Sequence, residues 1–140
     1  MLALVAEEAA RVGADVEGEP VLLRGSERLL RRLVRNLLEN AVRHGEAASV
    51  VASVHLSTSR VQLRVSDRGP GIAGAERERV FEPYYRPPGA AESGRGYGLG
   101  LSLVRRIARL HGGEARCLDN PDGGCLFQVE LPLPPDSTPE

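Results

Sequence analysis

Residues 92–106 read ESGRGYGLGLSLVRR, with glycine at 94, 96, 98 and 100 and an amphipathic pattern starting directly behind them. Glycine tolerates positive φ and lets backbone come close to another molecule, and the first N–H groups of a helix have no partners inside it. Phosphate suits such a place. A glycine-rich turn alone is a weak signal, because glycine also marks ordinary flexible loops. All 18 basic residues are arginine, which excludes a Walker-type loop and a protein-kinase site, since both require lysine. A dinucleotide turn needs a strand just before its glycines, whereas FEPYYRPPGAAES, residues 81–93, carries Pro83, Pro87 and Pro88 there.

Working outward, the helix behind the glycines spans about residues 98–111 and stops at HGG. EARCL (114–118) and CLFQVEL (125–131) flank the turn DNPDGG as a hairpin. Upstream, SVVASVHLS (49–57) and RVQLRVSD (60–67) alternate apolar and polar, the mark of two half-buried strands joined near STS. Ser26 opens a long helix that runs to His44 and closes at Gly45, and EPVLLRG (19–25) is a short strand candidate before it. The connection from about 68 to 97 is polar and rich in proline and glycine, with AERERVF (75–81) its one helical stretch. LALVAEEAARV (2–12) is a helix that opens mid-pattern, as though continued from an upstream segment. The tail PLPPDSTPE is expected to be disordered.

The bulk numbers suit one cytoplasmic domain: 140 residues, 26% charged, formal net charge −1, and no apolar run long enough to span a bilayer. Direct membrane contact is not expected of it. Nucleic acid is not the expected partner either, because the arginines are interspersed with acids and only three Tyr and two Phe could stack on bases. Cys117 and Cys125 lie outside any CxxC spacing and read as small buried apolar residues of a reducing compartment.

Two residues break the apolar pattern. Projecting 26–44 at about 100° per residue places Leu29, Leu30, Leu33, Val34, Leu37, Leu38 and Ala41 on one arc, with Arg28, Arg31, Arg32 and Arg35 opposite, toward water. Asn40 projects into the apolar arc, with Asn36 one turn earlier and Arg43 and His44 along the same edge. A buried amide must find partners or cost on the order of 1–3 kcal/mol. It is either tied to neighbouring backbone or its oxygen meets a hard cation such as Mg²⁺, which brings phosphates with it. The second exception is Asp67. The parity of Val61, Leu63 and Val65 points it inward at the strand's end, where a carboxylate is expensive unless something donates to it. It is either a turn former before RGPG or an acceptor for the exocyclic amine of adenine, with Gly69 and Gly71 allowing close approach and Ile72 as an apolar wall.

These residues fall in four motifs in a fixed order. RRLVRNLLENAVRHG resembles the N box of bacterial sensor histidine kinases, DRGPGI their G1 box, VFEPYYR their F box, and GRGYGLGLSLVRRIARLHGG their G2 box with the helix behind it. The resemblance covers about residues 20–133. It implies the catalytic, ATP-binding domain of a histidine kinase, with the GHKL fold similar in gyrase and MutL ATPases: a two-layer α/β sandwich with a mixed, mainly antiparallel five-stranded sheet on about three helices. Residues 1–133 would be that domain and 134–140 its disordered tail.

The resemblance also implies roles. Asn40 would take the Mg²⁺ that bridges the phosphates of ATP, with Asn36 supporting the same site. Arg43 and Arg86 would contact phosphate, Arg43 in place of the family's more usual lysine, and His44 stands where the family often has tyrosine, near the sugar or phosphates. Asp67 would accept from adenine N6 with Gly71 alongside, and Tyr85 of the F box would border the nucleotide. Gly96, Gly98, Leu99 and Gly100 would bring a mobile lid, residues 84–98, and a helix N-terminus to the triphosphate. Tyr97 departs from the small residue common at its place.

Such a domain positions the γ-phosphoryl group for in-line attack by a histidine. His44, His55 and His111 lack the helical His-acidic pattern of an acceptor, so the histidine is expected on a separate dimerisation domain, with a response regulator downstream and a parent that is often dimeric and membrane-anchored. The alternative is an anti-sigma-factor serine kinase of the same superfamily. Proteins of that kind resemble a pattern with Glu at position 36 and no F box, as do gyrase-like ATPases in their water-activating Glu; Asn36 cannot serve as a base.

Overall fold

In a computed structural model of the chain, residues 1–19, 23, 25–44, 50–57, 59–68, 74–85, 100–120 and 123–133 are described here. Three α-helices among them, α1 (Leu2–Val12), α2 (Glu27–His44) and α3 (Gly100–Leu110), lie on one side of a five-stranded sheet. The strands are β1 (Asp15–Gly18), β2 (Val51–Leu56), β3 (Arg60–Ser66), β4 (Glu114–Asp119) and β5 (Cys125–Pro132), in the order β1-β2-β3-β5-β4. β1 runs parallel to β2 and every other pairing is antiparallel, which is the mixed, mainly antiparallel α/β sandwich expected.

The period-2 pattern decides which sheet face is covered. Val61, Leu63 and Val65 of β3 and Phe127, Val129 and Leu131 of β5 point into the core together with Ala52 and Val54 of β2. On the opposite face Arg64 bonds Gln128 and Gln62, a polar ladder at the water surface. α2 buries Leu30, Leu33, Val34, Leu37, Leu38 and Ala41 against that core. Its start is marked by Ser26, whose hydroxyl accepts from the N–H of Leu29 at 3.1 Å. The backbone N–H of Ser26 donates to His111 Nε2 at 3.2 Å, so Nδ1 carries the ring proton and donates to the carbonyl of Ile107 at 2.8 Å. One imidazole thus staples the start of α2 to the end of α3.

Two expectations are corrected, and the strand expected at 19–25 falls mostly on residues outside the described ones. The first described strand is Asp15–Gly18: Gly13 in the left-handed region (φ 75) caps α1 and sends the chain straight into the sheet beside β2. Leu23, from the apolar run that suggested the later strand, packs on the core without entering the sheet. The stretch 75–81 forms two 3-10 turns, Gly74–Glu76 and Arg79–Phe81, since its only buried apolar residues, Val80 and Phe81, are adjacent and make no helical stripe. Arg31 and Arg35 do not simply extend into water but are partly covered. They converge on Glu8 of α1, which is 3% exposed, with Arg35 Nε at 2.8 Å and Arg31 Nη1 at 3.0 Å.

No helix among the described residues is long and apolar enough to cross a membrane. The tail 134–140 lies outside them.

Candidate nucleotide site

α2 and β3 carry the two polar residues that the sequence pattern drives inward. Asn40 is 5% exposed among leucines, as the helical projection requires, and its Oδ1 is buried with no hydrogen-bond partner among the described residues. A buried carbonyl oxygen without a donor costs on the order of 1–3 kcal/mol, so this atom is suited to a cation that takes oxygen ligands. Among the described residues no three His, Cys, Asp or Glu gather to hold a metal. One turn earlier, Asn36 Nδ2 donates to the carbonyl of Gly100 at 3.3 Å, tying α2 to the first residue of α3.

Asp67 sits at the end of β3, 1% exposed. Alternation brings its carboxylate to the covered side, and the β4–β5 hairpin holds it there. The N–H of Cys125 donates to Asp67 Oδ1 at 3.3 Å, the N–H of Asp67 donates to the Cys125 carbonyl at 3.0 Å, and Asn120 Nδ2 donates to the Asp67 carbonyl at 3.0 Å. Gly124 (φ 86) passes so close that a Cβ there would overlap the Asp67 carbonyl oxygen. Sequence reading passed over Asn120 and Gly124 as hairpin-turn residues. The signal was the paired glycine ending DNPDGG, but its contact lies more than fifty residues away along the chain and has no local pattern.

Tyr85 is half-buried, with the Arg79 guanidinium 4.6 Å above its ring, and Tyr84 beside it is 70% exposed at φ 61. Gly100 is the first described residue of α3; the expected start at about 98 lies outside the described residues. Arg43 and His44 belong to the last turn of α2; of their side chains nothing is described. Gly69, Gly71, Ile72, Arg86, Gly96, Tyr97, Gly98 and Leu99 lie outside the described residues, as does all of the expected lid except 84 and 85. The fold thus brings together Asn36 and Gly100 through a direct hydrogen bond, and places Asn40 and Asp67 as two buried polar exceptions of one apolar core.

Residues 25–135 match the family model of histidine kinase-, DNA gyrase B- and HSP90-like ATPases. The chain belongs to that family. The chain is 36% identical over 130 residues to the adaptive-response sensory kinase SasA of a Nostoc species, an alignment covering 91% of this chain and 32% of SasA. It thus spans about a third of the length of that relative. Among solved structures, the mycobacterial sensor histidine kinase MprB superimposes with a TM-score of 0.79 at 27% identity, covering 95% of each chain. The ATP-binding domain of PrrB from Mycobacterium tuberculosis does so with a TM-score of 0.73 at 35% identity, covering 95% of this chain and 91% of that solved domain. Both solved sensor-kinase chains thus share the fold described above.

Proposed function

We propose that residues 1–133 are the ATP-binding catalytic domain of a sensor histidine kinase, presenting the γ-phosphoryl group of Mg-ATP to a histidine on a separate dimerisation domain. The observation that carries this reading is the buried Oδ1 of Asn40, an acceptor with no partner among the described residues inside an otherwise apolar arc of α2. Likeness to sensor kinases along nearly the whole chain supports it.

In this reading Asp67 accepts from the amine of adenine, and the hairpin bonds to its backbone and Oδ1 fix its orientation before the base arrives. Fixing an acceptor in advance removes ordering entropy from the binding step. Asn40 offers its oxygen to the metal, while Arg43 and Arg86 neutralise phosphate charge. Mg²⁺, when bound, supplies charge neutralisation on the phosphates. Gly69, Gly71 and Ile72 border the base, Tyr85 and His44 border the nucleotide, and Gly96, Tyr97, Gly98, Leu99 and Gly100 bring backbone N–H groups of a lid and of the α3 N-terminus toward phosphate. Asn36 holds the Gly100 carbonyl and, being an amide, cannot deprotonate water. Phosphoryl transfer to a positioned imidazole is then favoured over hydrolysis. A response regulator would take the phosphoryl group onward.

The test is calorimetric. Asn40→Ala should fold normally and lose about tenfold or more of its ATP affinity with Mg²⁺ present, the scale of one charge-assisted contact, while binding without Mg²⁺ changes little. Unchanged affinity in the presence of Mg²⁺ would sink the assignment.

A further inference from the structure

Arg105 of α3 takes no part in the roles above, yet its side chain is only 13% exposed and its guanidinium joins α3 to two other segments. The guanidinium carbon lies 4.2 Å from the centre of the Phe81 ring, a cation stacked on an aromatic face. Nη1 and Nη2 donate to the two carboxylate oxygens of Glu78, the second at 3.0 Å. At the start of β4, Nε donates to Glu114 at 3.1 Å and Nη2 donates also to the Ala115 carbonyl at 3.1 Å. A planar fork can stack on a ring by its face while its edge serves two carboxylates and a carbonyl. The single nitrogen of an ammonium cannot.

Both ends of this clamp lead toward the residues assigned to phosphate. Phe81 is buried, edge-on to Phe127 of β5 with the ring centres 6.1 Å apart. From Glu78 onward the chain is held by successive backbone bonds, the N–H of Phe81 to the Glu78 carbonyl, Glu82 to Arg79 and Tyr85 to Glu82, so a grip on Glu78 and Phe81 reaches Tyr85. The Arg79 guanidinium over the Tyr85 ring closes the same turn. Along α3, the Gly100 carbonyl holds the amide of Asn36, one turn before Asn40. Asp67 lies on a different anchorage, since Asn120 and Cys125 hold it at the end of β4 away from Glu114.

We propose that Arg105 is a positioning residue for the triphosphate: by clamping residues 78–85 to α3 it fixes the spacing between Tyr85, with Arg86 next in sequence, and the Gly100 end of α3. The proposal deepens the nucleotide reading and rests on it. Nε, Nη2 and one N–H of Nη1 are already committed, so Arg105 acts through those neighbours. Loosening the clamp misplaces the groups that meet phosphate, whereas the base keeps its acceptor on Asp67.

The experiment measures ATP and adenosine affinity by titration calorimetry, with Mg²⁺ present, for the parent chain, Arg105→Met, Arg105→Lys and Glu78→Ala, each checked for folding by circular dichroism. Arg105→Met keeps an apolar stem over Phe81 and loses both charge and fork. It should bind ATP about tenfold more weakly and adenosine as well as the parent does. Arg105→Lys, which keeps a cation for the ring, should recover part of that loss. The Glu78 side chain is 75% exposed, so Glu78→Ala opens the clamp without opening the core, and it should show a smaller loss, again for ATP alone. Unchanged ATP affinity in folded Arg105→Met, or in Glu78→Ala if the Met variant does not fold, overturns the proposal. An equal loss for ATP and adenosine does the same, because it assigns Arg105 to general stability. If the parent binds neither ligand the nucleotide reading fails, whereas a parent that binds both and variants that match it remove only the clamp.

Discussion

A single carboxylate can choose between two bases. Asp67 is buried and its Oδ1 is already held by the N–H of Cys125, so it presents an acceptor that cannot turn away. Such an acceptor attracts the adenine amine and repels guanine O6; losing one charge-assisted bond costs roughly 1.5–3 kcal/mol. ATP should outcompete GTP at least about tenfold on that scale, and Asp67→Asn should narrow the gap, because the amide can turn an N–H toward a carbonyl. Competition of both nucleotides against a fluorescent ATP analogue reads this directly. Equal affinity for the two in the unmutated chain would remove Asp67 from the base contact. Gly124 belongs to the same residue-scale argument: Gly124→Ala should weaken ATP binding as well as stability, since the added methyl overlaps the Asp67 carbonyl and forces positive φ on a residue with a Cβ.

At the scale of elements, α1 is fastened to α2 by charge as well as by Leu4, Val5 and Ala9. Hydrogen bonding from Arg35, followed by that from Arg31, holds the Glu8 carboxyl below the ordinary carboxylate range against the cost of its burial. A group whose folded value is depressed contributes stability that is complete above its unfolded value, about 4.3, and is lost as pH falls through the folded one. Glu8→Gln should therefore cost about 1–2 kcal/mol at neutral pH, a figure kept small because both guanidinium groups reach water. The difference between Glu8→Gln and the parent should shrink as pH drops below about 4. Urea unfolding of the two proteins at neutral and acid pH checks both statements; a gap that stays constant with pH would assign the loss to packing.

For the whole molecule the question is what one domain can do alone. The chain matches about a third of the sensory kinase SasA, and none of its three histidines shows the acceptor pattern. His55 is exposed on a strand, and the ring of His111 is committed to the staple between α2 and α3. Incubated with γ-labelled ATP, the chain should bind nucleotide yet neither label itself nor release phosphate at an appreciable rate. Adding a dimerisation domain that carries an acceptor histidine should yield acid-labile, base-stable phosphohistidine. Robust labelling or hydrolysis by the chain alone would overturn the kinase reading, and label on a partner's serine would favour the anti-sigma kinase.

Much of this was legible in the linear order of residues. Alternation in 60–66 and 125–131, the 3.6-residue stripe of α2 and the capping Ser26 are local, so covalent spacing alone sets which side chains share a face. Asn40 and Asp67 stood out because they violated those periods. Burial then followed from the period itself. The tertiary structure alone decided the pairings that join segments far apart: Glu8 with Arg35 across 27 residues, Cys125 with Asp67 across 58, and Asn36 with Gly100 across 64. It also set β1 at Asp15–Gly18. A local pattern states which face of an element is apolar, whereas the partner of a buried polar group depends on which element covers that face, and that is settled only when the whole core closes.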